Sequence, residues 1–254
     1  MKIVGIVPAR MGSTRFPGKP MEKILGMPMI GHCYHRSAIA FGIDNTYVAT
    51  CDIEIADYIV SIGGNVIMTE DTHTRATTRT AEAQKYIEKK TGLKIDIVVM
   101  VQGDEPLILP KTLSEIAPEF INKSVNVVNI MSSLLTEESF NDFNNVKVVV
   151  DKQNNALYFS RAPIPSSWQG WKDIPKYMQT GIIAFRGHIL TDFNSKKETG
   201  LEQIESVDMN RVLENGGKIR MVPTNCITIG VDTFEELKSA EKLMEDDETI
   251  KQYL

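Results

Sequence analysis

The fold is decided near the start of the chain, where residues 2–20 read KIVGIVPARMGSTRFPGKP. Residues 2–7 are an almost wholly apolar run that stops at Pro8, a pattern typical of a strand buried on both faces of a parallel sheet. Outward from it, we predict further strands at 47–50, 66–68 and 95–101, alternating with helices at 29–41, 53–62 and 80–90. This alternation predicts βαβ units and a mostly parallel sheet.

The regular alternation weakens after residue 122. Short strands without long intervening helices are predicted at 125–132, 146–151, 156–160 and 181–185. They are followed by a helix at 202–215, a strand at 218–222 and a terminal helix at 233–246. We therefore predict an α/β fold in which a single domain spans residues 1–254. It is built on a mostly parallel, twisted sheet, with a small β-rich lobe inserted at about residues 140–200.

The composition of the 254-residue chain argues against several classes of protein. A net charge of −5 gives no global electrostatic basis for binding nucleic acid or an anionic membrane, so no such partner is expected. Three widely spaced cysteines without a CxxC pair argue against a disulfide framework or a structural zinc site. The first residues are too short an apolar run for a signal peptide, and no later segment approaches the length of a membrane span. A cytoplasmic location is therefore expected.

Three basic side chains, Arg10, Arg15 and Lys19, crowd the glycine-containing loop that follows the first strand. Ligands of open α/β sheets bind beyond the carboxyl ends of the strands, where this loop is expected to lie. Its backbone amides and basic side chains suit phosphate oxygens. The loop matches neither G-x-G-x-x-G nor G-x-x-x-x-G-K-[ST], so neither a dinucleotide fingerprint nor a P-loop is indicated. On these residues alone, the alternative is a solvated basic turn.

Two aspartates follow apolar segments that are far apart in the sequence. Asp104 comes soon after the strand predicted at 95–101, and Asp232 directly follows a short apolar run at 227–231. Magnesium is typically held by one or two carboxylates together with substrate phosphates, so two carboxylates at strand ends fit a magnesium site. Taken alone, either aspartate could instead be a turn residue or a helix N-cap, and Asp232 stands directly before Thr233.

Four ordered motifs resemble one family of enzymes. They are PARMGSTRFPGKP at residues 8–20, VQGDEP at 101–106, ALYFSR at 156–161 and GVDT at 230–233. Together they resemble the sugar-acid cytidylyltransferases, and within that group the 3-deoxy-manno-octulosonate (Kdo) cytidylyltransferases. The resemblance covers essentially the whole chain. It implies a fold of nucleotidyltransferase type, transfer of CMP from CTP to an acidic sugar, Mg²⁺ as the metal and a homodimer formed through the small lobe.

The resemblance also implies roles for individual residues. Those implied to be catalytic are Arg10, Lys19, Asp104 and Asp232, with the two aspartates as ligands of Mg²⁺. CTP is expected to be bound by Ala9, Arg10, Ser13, Arg15, Lys19, Thr77, Arg79 and Gln102. The acidic substrate is expected to be bound by Arg75, Arg161, Gln179, Glu202, Glu205 and Asp208. An oxygen of the acid would attack the α-phosphorus of CTP, and pyrophosphate would leave.

The acid-binding side departs from the family pattern at four places. Where the family usually has His-x-Ser-Gly-Thr-Asp/Glu-Arg, residues 73–79 read HTRATTR, so Arg75 replaces a serine. Gln179 stands where a histidine is usual, and Phe185 stands where a tyrosine is common. Residues 208–211 read DMNR, whereas the family has Glu-Gln before Leu-Arg.

These departures lead to an expectation about the substrate. A buried guanidinium needs an anionic partner, so Arg75 is expected to meet a second anionic group on the acid, which Kdo lacks. Kdo is then expected to be a poor substrate, with another ulosonic acid or a phosphonate as the alternative. Arg75 could equally face solvent or pair with Glu70 or Asp71, in which case the departures are drift. A nucleotide-binding regulator without turnover is the remaining class, and the intact basic loop and aspartates weigh against it.

Overall fold

The computed structural model describes residues 1–13, 15–171, 175–225 and 229–254. Thr14 of the basic loop, Cys226 and the first two residues of the run at 227–231 lie outside the described residues. The strands are β1 (Ile3–Pro8), β2 (Lys23–Ile24), β3 (Met27–Pro28), β4 (Thr46–Thr50), β5 (Asn65–Met68), β6 (Ile97–Val101), β7 (Val127–Ser133), β8 (Lys147–Val150), β9 (Ala156–Ser160), β10 (Tyr177–Arg186) and β11 (Ile219–Thr224). The α-helices are α1 (Met29–Phe41), α2 (Ile53–Ser61), α3 (Ala76–Thr91), α4 (Pro110–Ser114), α5 (Glu137–Asn141), α6 (Gly187–Ser195), α7 (Gly200–Glu205), α8 (Met209–Glu214) and α9 (Phe234–Met244). None of the helices in the described ranges is long and apolar enough to cross a membrane.

The central sheet has the strand order β11-β7-β10-β6-β1-β4-β5. β1 is parallel to β4 and β6, β4 is parallel to β5, and β11 is parallel to β7. β10 runs antiparallel to both of its neighbours, β6 and β7. The predicted mostly parallel α/β sheet is therefore confirmed. The parallel strands all end at one edge of the sheet, and the first residues of β10 lie at that same edge.

Both faces of the sheet are covered, as the apolar run of β1 predicted. Val4 and Ile6 of β1 belong to a buried cluster on the face of α3, α6 and α8. Val7 belongs to a second buried cluster on the other face, with α1 and α2. Burying one such side chain contributes about 1.5–3 kcal/mol, so a strand that is buried on both sides is held strongly in place. The loops that follow these strands therefore start from rigid positions.

β10 differs from its prediction in length and in position. The strand predicted at 181–185 extends to Tyr177–Arg186 and lies in the middle of the main sheet. Its first residues pair with β8, which pairs in turn with β9. The β8–β9 hairpin is thus the part of the predicted lobe that lies off the main strand order, whereas β10 pairs with β7 and β6 and belongs to the main sheet. The division of the chain into a domain and a lobe otherwise stays a prediction.

The single helix predicted at 202–215 is wrong. The segment forms two short helices, α7 and α8, because Ser206 adopts the left-handed backbone conformation with φ 52° and ψ 43°. A right-handed helix cannot continue through such a residue, so the chain changes direction there. The residues of the turn, Val207 and Asp208, line the functional cleft described below.

Helix α1 is tied to the end of the chain by a buried histidine. His32 lies 2.8 Å through Nε2 from the Ile24 carbonyl oxygen and 3.0 Å through Nδ1 from the Tyr253 hydroxyl. Because a carbonyl only accepts, Nε2 carries the proton and Nδ1 accepts from Tyr253. The Nε–H of Arg36 donates to the same hydroxyl at 3.1 Å, and Arg36 forms an ion pair with Asp247. Burial, together with the nearby Arg36 charge, lowers the pKa of His32 from 6.5 to about 4.

We expect this histidine to make folding sensitive to mild acid. Between pH 6.5 and 4 the unfolded chain protonates His32 and the folded chain does not, so its contribution to stability falls as pH falls. From pH 7.5 to 5 that loss is about 2 kcal/mol. The difference in the free energy of unfolding between the wild type and His32→Gln should therefore be smaller by this amount at pH 5 than at pH 7.5. Urea unfolding of both proteins at both pH values measures it. Glu105, which has a raised pKa, opposes the trend in both proteins and cancels in the difference. A gap that stays constant with pH would contradict the prediction.

Candidate active site

A polar cleft of about 520 Å³ opens at the edge of the sheet where the parallel strands end. The loops that follow β1, β5 and β6 line it, together with the start of β10 and the turn between α7 and α8. Most of the predicted site residues line this cleft: Ala9, Arg10, Ser13, Arg15, Lys19, Arg75, Arg79, Gln102, Asp104, Arg161, Gln179, Asp208 and Asp232. Thr77, Glu202 and Glu205 are not among its lining residues.

The two predicted metal ligands converge on one point of the cleft. The Lys19 ammonium lies 2.7 Å from Asp104 Oδ2 and 2.8 Å from Asp232 Oδ1. It also donates to the Val231 carbonyl oxygen at 2.9 Å, and Arg15 contacts the other Asp232 oxygen at 2.7 Å. The Val231 N–H donates to the Asp104 carbonyl oxygen, so the main chain itself fixes the two carboxylates side by side.

The acidic pair attracts a positive charge. Burial alone would lower the pKa of Lys19, but the charges and hydrogen bonds of Asp104 and Asp232 outweigh it and raise that pKa. The ammonium therefore stands where a metal cation would be attracted, with one oxygen from each carboxylate at hydrogen-bond distance from its nitrogen. Two carboxylates completed by substrate phosphates fit a hard divalent cation such as Mg²⁺. No group of three or more potential metal-binding side chains occurs in the described ranges, so the phosphates would have to complete the coordination.

The helix-cap alternative for Asp232 does not hold. The N-cap of α9 is Thr233, whose side chain accepts from the Glu236 N–H, while the Glu236 carboxylate accepts from the Thr233 N–H. The same carboxylate accepts from the Asp232 N–H at 2.8 Å. The Asp232 side chain therefore does not cap the helix, and it lines the cleft.

The basic loop is anchored at its start rather than solvated throughout. The Ala9 N–H donates to the Ala49 carbonyl oxygen, and the Met11 N–H donates to Asp52 Oδ2 at 2.8 Å. Arg10 donates to the His73 carbonyl oxygen at 3.3 Å. The Lys19 side chain is only 12% exposed, which excludes a simple solvated turn for that residue. Asp52 is a positioning residue that the sequence analysis missed, although it comes two residues after the strand predicted at 47–50.

Glu105, inside the VQGDEP motif, was also missed. β10 has an irregularity between Gln179 and Ile183, and within it the Gly181 N–H donates to Glu105 Oε1 at 2.7 Å. A Cβ at Gly181 would lie 2.9 Å from the Gln102 side chain, so only glycine fits this close approach. Burial, and then the charge of Asp104, raises the pKa of Glu105 to about 7. Its Oε2 has no hydrogen-bond partner among the described residues.

The cleft is also lined by a buried guanidinium from α3. Arg79 on α3 donates through Nη1 to Thr69 Oγ1 and to the Glu70 carbonyl oxygen. Its Nη2 is buried without a hydrogen-bond partner in the described part of the chain. An unpaired buried donor is costly, so this group is suited to a ligand oxygen in the cleft. The loop that carries these acceptors is held by Glu82, which accepts from the Glu70 N–H and pairs with the His73 ring.

On the opposite side of the cleft, two arginines are held by protein partners. Arg161 donates through its main-chain N–H to Glu205 Oε2 and through its side-chain Nε–H to the Glu205 carbonyl oxygen, both at 2.8 Å. Burial, and then the charge of Arg15, lowers the pKa of Arg161. Arg75 donates to Ser206 Oγ at 3.1 Å and lies 3.6 Å from Glu198. Arg75 thus neither faces solvent alone nor pairs with the acidic residues 70 and 71.

Four sequence-based assignments require correction. Glu202 is fully buried and both of its oxygens accept from Arg211, so it cannot contact a ligand. Glu205 is occupied by Arg161 and by the hydroxyls of residues 158 and 160, and it acts on the cleft only through Arg161. Thr77 is fully buried and donates to Asp208 Oδ2 at 2.9 Å. Phe185 packs in the core against Phe193, so its difference from the family pattern does not change the cleft.

Asp208 is the acidic group that remains on this side of the cleft. Burial raises the pKa of Asp208, while the hydrogen bond from Thr77 and the charge of Arg75 act in the opposite direction. Gln179 lines the cleft nearby, and its Oε1 has no hydrogen-bond partner among the described residues. This side therefore offers the charges of Arg75 and Arg161, the carboxyl of Asp208 and the amide of Gln179, groups that can bind a carboxylate together with hydroxyls.

Comparison with known proteins agrees with this geometry. Residues 4–219 match the family model described as Cytidylyltransferase. The 3-deoxy-manno-octulosonate cytidylyltransferase of Geobacter metallireducens is 41% identical over 255 residues, covering 96% of this chain and 98% of that protein. The protein of the same name from Geobacter sulfurreducens is 40% identical and covers 96% of this chain and 100% of its own length. Cytidylyltransferases of this type generally depend on a divalent metal.

The fold comparison agrees with the sequence comparison. The structure of a CMP:2-keto-3-deoxy-manno-octonic acid synthetase complexed with CTP has a TM-score of 0.86 and 33% sequence identity, covering 96% of this chain and 99% of that chain. A glucose-1-phosphate thymidylyltransferase structure from Bacillus anthracis, described as putative, has a TM-score of 0.69 at 15% identity, covers 96% of both chains and shows the fold alone. The nucleotidyltransferase type of the sheet is thereby confirmed. With the family model matching most of its length, this chain belongs to the cytidylyltransferase family.

Proposed function

We propose that the protein transfers CMP from CTP to 3-deoxy-manno-octulosonate (Kdo), forming CMP-Kdo and pyrophosphate. The observation that carries the proposal is a single cleft that joins a basic loop, a convergent pair of aspartates and a separate pair of arginines. The basic loop suits a triphosphate, the pair of aspartates suits a divalent cation, and the pair of arginines suits a carboxylate. The relatives named for this reaction match the chain over nearly its full length.

On the nucleotide side, the basic loop would bind the triphosphate. Lys19 and Arg15 are the side chains that can neutralise the outer phosphates, and Arg10 lies at the start of the loop. The buried and unpaired NH2 of Arg79 would donate to an oxygen of the nucleotide. We assign the further CTP contacts to Ala9, Ser13 and Gln102, which line the same side of the cleft.

Asp104 and Asp232 would hold Mg²⁺. When bound, the cation neutralises charge on the triphosphate and makes an attacking hydroxyl more acidic. The protein itself keeps the two carboxylates together through the hydrogen bond between the Val231 N–H and the Asp104 carbonyl oxygen. It also orients Asp232 through Glu236, which holds the Asp232 N–H.

The acid side favours Kdo over a more anionic substrate. The expectation of a second anionic group on the acid rested on an unpaired Arg75, but Glu198 and Ser206 already serve as its partners. A single carboxylate between Arg161 and Arg75 therefore suffices, with Asp208 and Gln179 available to hydroxyl groups. The substrate hydroxyl oxygen would then form a bond to the α-phosphorus of CTP as the bond to pyrophosphate breaks.

The proposal is tested by measuring pyrophosphate release from CTP and Mg²⁺ with a panel of acids. We expect release with Kdo, little release with a nine-carbon ulosonic acid and none with a phosphonate. Omission of Mg²⁺ should abolish release, and Mg²⁺ in excess of EDTA should restore it. Efficient pyrophosphate release with the phosphonate alone would indicate that the substrate is a more anionic acid than Kdo. Tight CTP binding without release in the presence of any acid would indicate a regulator.

A homodimer and a cytoplasmic location remain proposals that follow from the family resemblance. The β8–β9 hairpin is the surface through which we propose that two copies associate. Sedimentation equilibrium of the wild-type protein decides the oligomeric state directly. A monomer at micromolar concentration would contradict the proposed dimer without affecting the proposed reaction.

A further inference from the structure

The turn between α7 and α8 contacts two other segments on the acid side of the cleft, the end of β9 and the start of α3. Glu205 binds the main chain and the Nε–H of Arg161, at the end of β9. Ser206 accepts from Arg75, directly before α3, and Asp208 accepts from Thr77 within the first turn of α3. Three residues within a stretch of four thus hold three side chains from two other parts of the chain.

The backbone of Ser206 is what makes these contacts compatible. In a continuous helix, residues 205 and 206 would point in directions about 100° apart along one straight axis. The left-handed conformation of Ser206 instead ends α7 and turns the chain, which brings Ser206 and Asp208 to the cleft while Glu205 contacts Arg161. Residues other than glycine rarely adopt this conformation, and they do so where surrounding contacts compensate.

Both arginines depend on this turn for their position. The Arg161 Nε–H donates to the Glu205 main-chain oxygen, which is displaced if residue 206 changes conformation. Arg75 donates to both the Ser206 hydroxyl and, at 3.5 Å, the Ser206 carbonyl oxygen. The turn makes no hydrogen bond or ion pair with the basic loop or with Asp104 among the described contacts. The cleft-lining arginines that the turn holds by hydrogen bonds are thus Arg161 and Arg75.

We propose that Ser206 is a positioning residue for the acid substrate: its left-handed turn sets Arg161 and Arg75 for one carboxylate. The proposal rests on the proposed function, in which these two arginines bind the carboxylate of Kdo. It assigns no contact with the reacting atoms to Ser206 itself. What matters is the backbone conformation, and the hydroxyl contributes only one of the hydrogen bonds from Arg75.

The test compares two substitutions at the same position. Ser206→Gly keeps the left-handed conformation accessible and removes only the hydroxyl, whereas the β-branched Ser206→Val disfavours that conformation. We expect Ser206→Val to raise the KM for Kdo about tenfold, because small displacements of positioning groups have effects of this size or larger. The KM for CTP should stay within twofold of wild type. Ser206→Gly should stay within about threefold of the wild-type KM for Kdo, since glycine adopts the turn without strain.

Asn154 provides the matched control. It is another non-glycine residue with positive φ, at 58°, and it lies in the turn between β8 and β9. Asn154→Val should impose similar backbone strain and a similar loss of thermal stability without raising the KM for Kdo. If Asn154→Val raises that KM as much as Ser206→Val does, the effect is general destabilisation and the proposal is overturned. It is likewise overturned if Ser206→Gly is as impaired as Ser206→Val, or if Ser206→Val raises both KM values equally.

A second measurement does not depend on the reaction. The Arg161 Nε–H should be protected from hydrogen exchange in the wild type and in Ser206→Gly, and should lose protection in Ser206→Val, as followed by arginine side-chain NMR. Retained protection in Ser206→Val would overturn the positioning role. If the wild type releases no pyrophosphate with Kdo, the proposed function fails while this exchange experiment still decides the role of Ser206.

Discussion

Replacing Asp232 with asparagine is expected to lower turnover by at least about 100-fold, because loss of a residue that merely supports a metal ligand already costs 10–100-fold. The asparagine keeps the shape of the side chain and removes the charge that attracts the cation. Asp104 and Lys19 remain paired, and the main-chain N–H of residue 232 remains bound to Glu236, so the fold should survive. The measurements are pyrophosphate release under saturating CTP and the Mn²⁺ affinity of the protein.

The matched control for this variant is Asp57→Asn. Asp57 is an exposed aspartate on α2, outside the cleft, and its replacement removes the same charge from the surface. Turnover and Mn²⁺ affinity should stay at wild-type values in this protein. If Asp232→Asn kept wild-type turnover and Mn²⁺ affinity, the acidic pair would serve only as counter-ions for the basic loop. The metal would then have to be held elsewhere.

The side of the cleft formed by the basic loop and Asp104 was predictable because local sequence signals determine it. The apolar run of β1 fixes where the basic loop begins, and the apolar strand β6 fixes the start of the loop that carries Asp104. A parallel sheet brings such loops to one edge, so residues far apart in sequence could be placed together. Asp104 follows β6 in accordance with this rule, whereas Asp232 does not directly follow any described strand and is placed beside Asp104 by the hydrogen bond from the Val231 N–H to the Asp104 carbonyl oxygen.

The side of the cleft that carries Arg75 and Arg161 was less predictable because non-local contacts determine it. The apolar pattern of residues 202–215 is compatible with one helix, and the serine that interrupts it has no φ preference that would mark a left-handed turn. The position of β10 between two parallel strands depends on pairings about 50 and 80 residues away. The hydrogen bond from the Gly181 N–H to Glu105 depends on the irregularity in that strand, which no local sequence pattern predicts. Each of these features required the assembled sheet.

Arg75 illustrates how a sequence departure can mislead. Its replacement of a small residue indicated an unpaired guanidinium that would need an anion on the substrate. In the fold, α3 begins next to the segment of residues 198–206, where Glu198 and Ser206 provide the acceptors. The charge is therefore balanced within the protein, and the departure carries no information about a more anionic substrate.

Breaking the ion pair between Glu202 and Arg211 is expected to destabilise the fold by about 3–5 kcal/mol, because a buried charge is left without its partner. Both side chains are almost completely buried, and Arg211 joins α8 to the ends of α6 and α7 by donating to the carbonyl oxygens of residues 193 and 196 as well. Glu202→Gln keeps the shape and removes the charge. The measurement is the urea midpoint at pH 7.5.

The same variant separates a structural role from the substrate-binding role that the sequence suggested for Glu202. At a temperature where Glu202→Gln is still folded, its KM for Kdo should match that of the wild type, since the carboxylate lies outside the cleft. Glu248→Gln, which breaks an exposed pair with Lys251, should leave the urea midpoint nearly unchanged. A double variant that replaces both buried partners with apolar residues should recover part of the lost stability, because neither charge is then stranded. If Glu202→Gln left the urea midpoint unchanged and raised the KM for Kdo, Glu202 would be a substrate-binding residue and the structural assignment would be wrong.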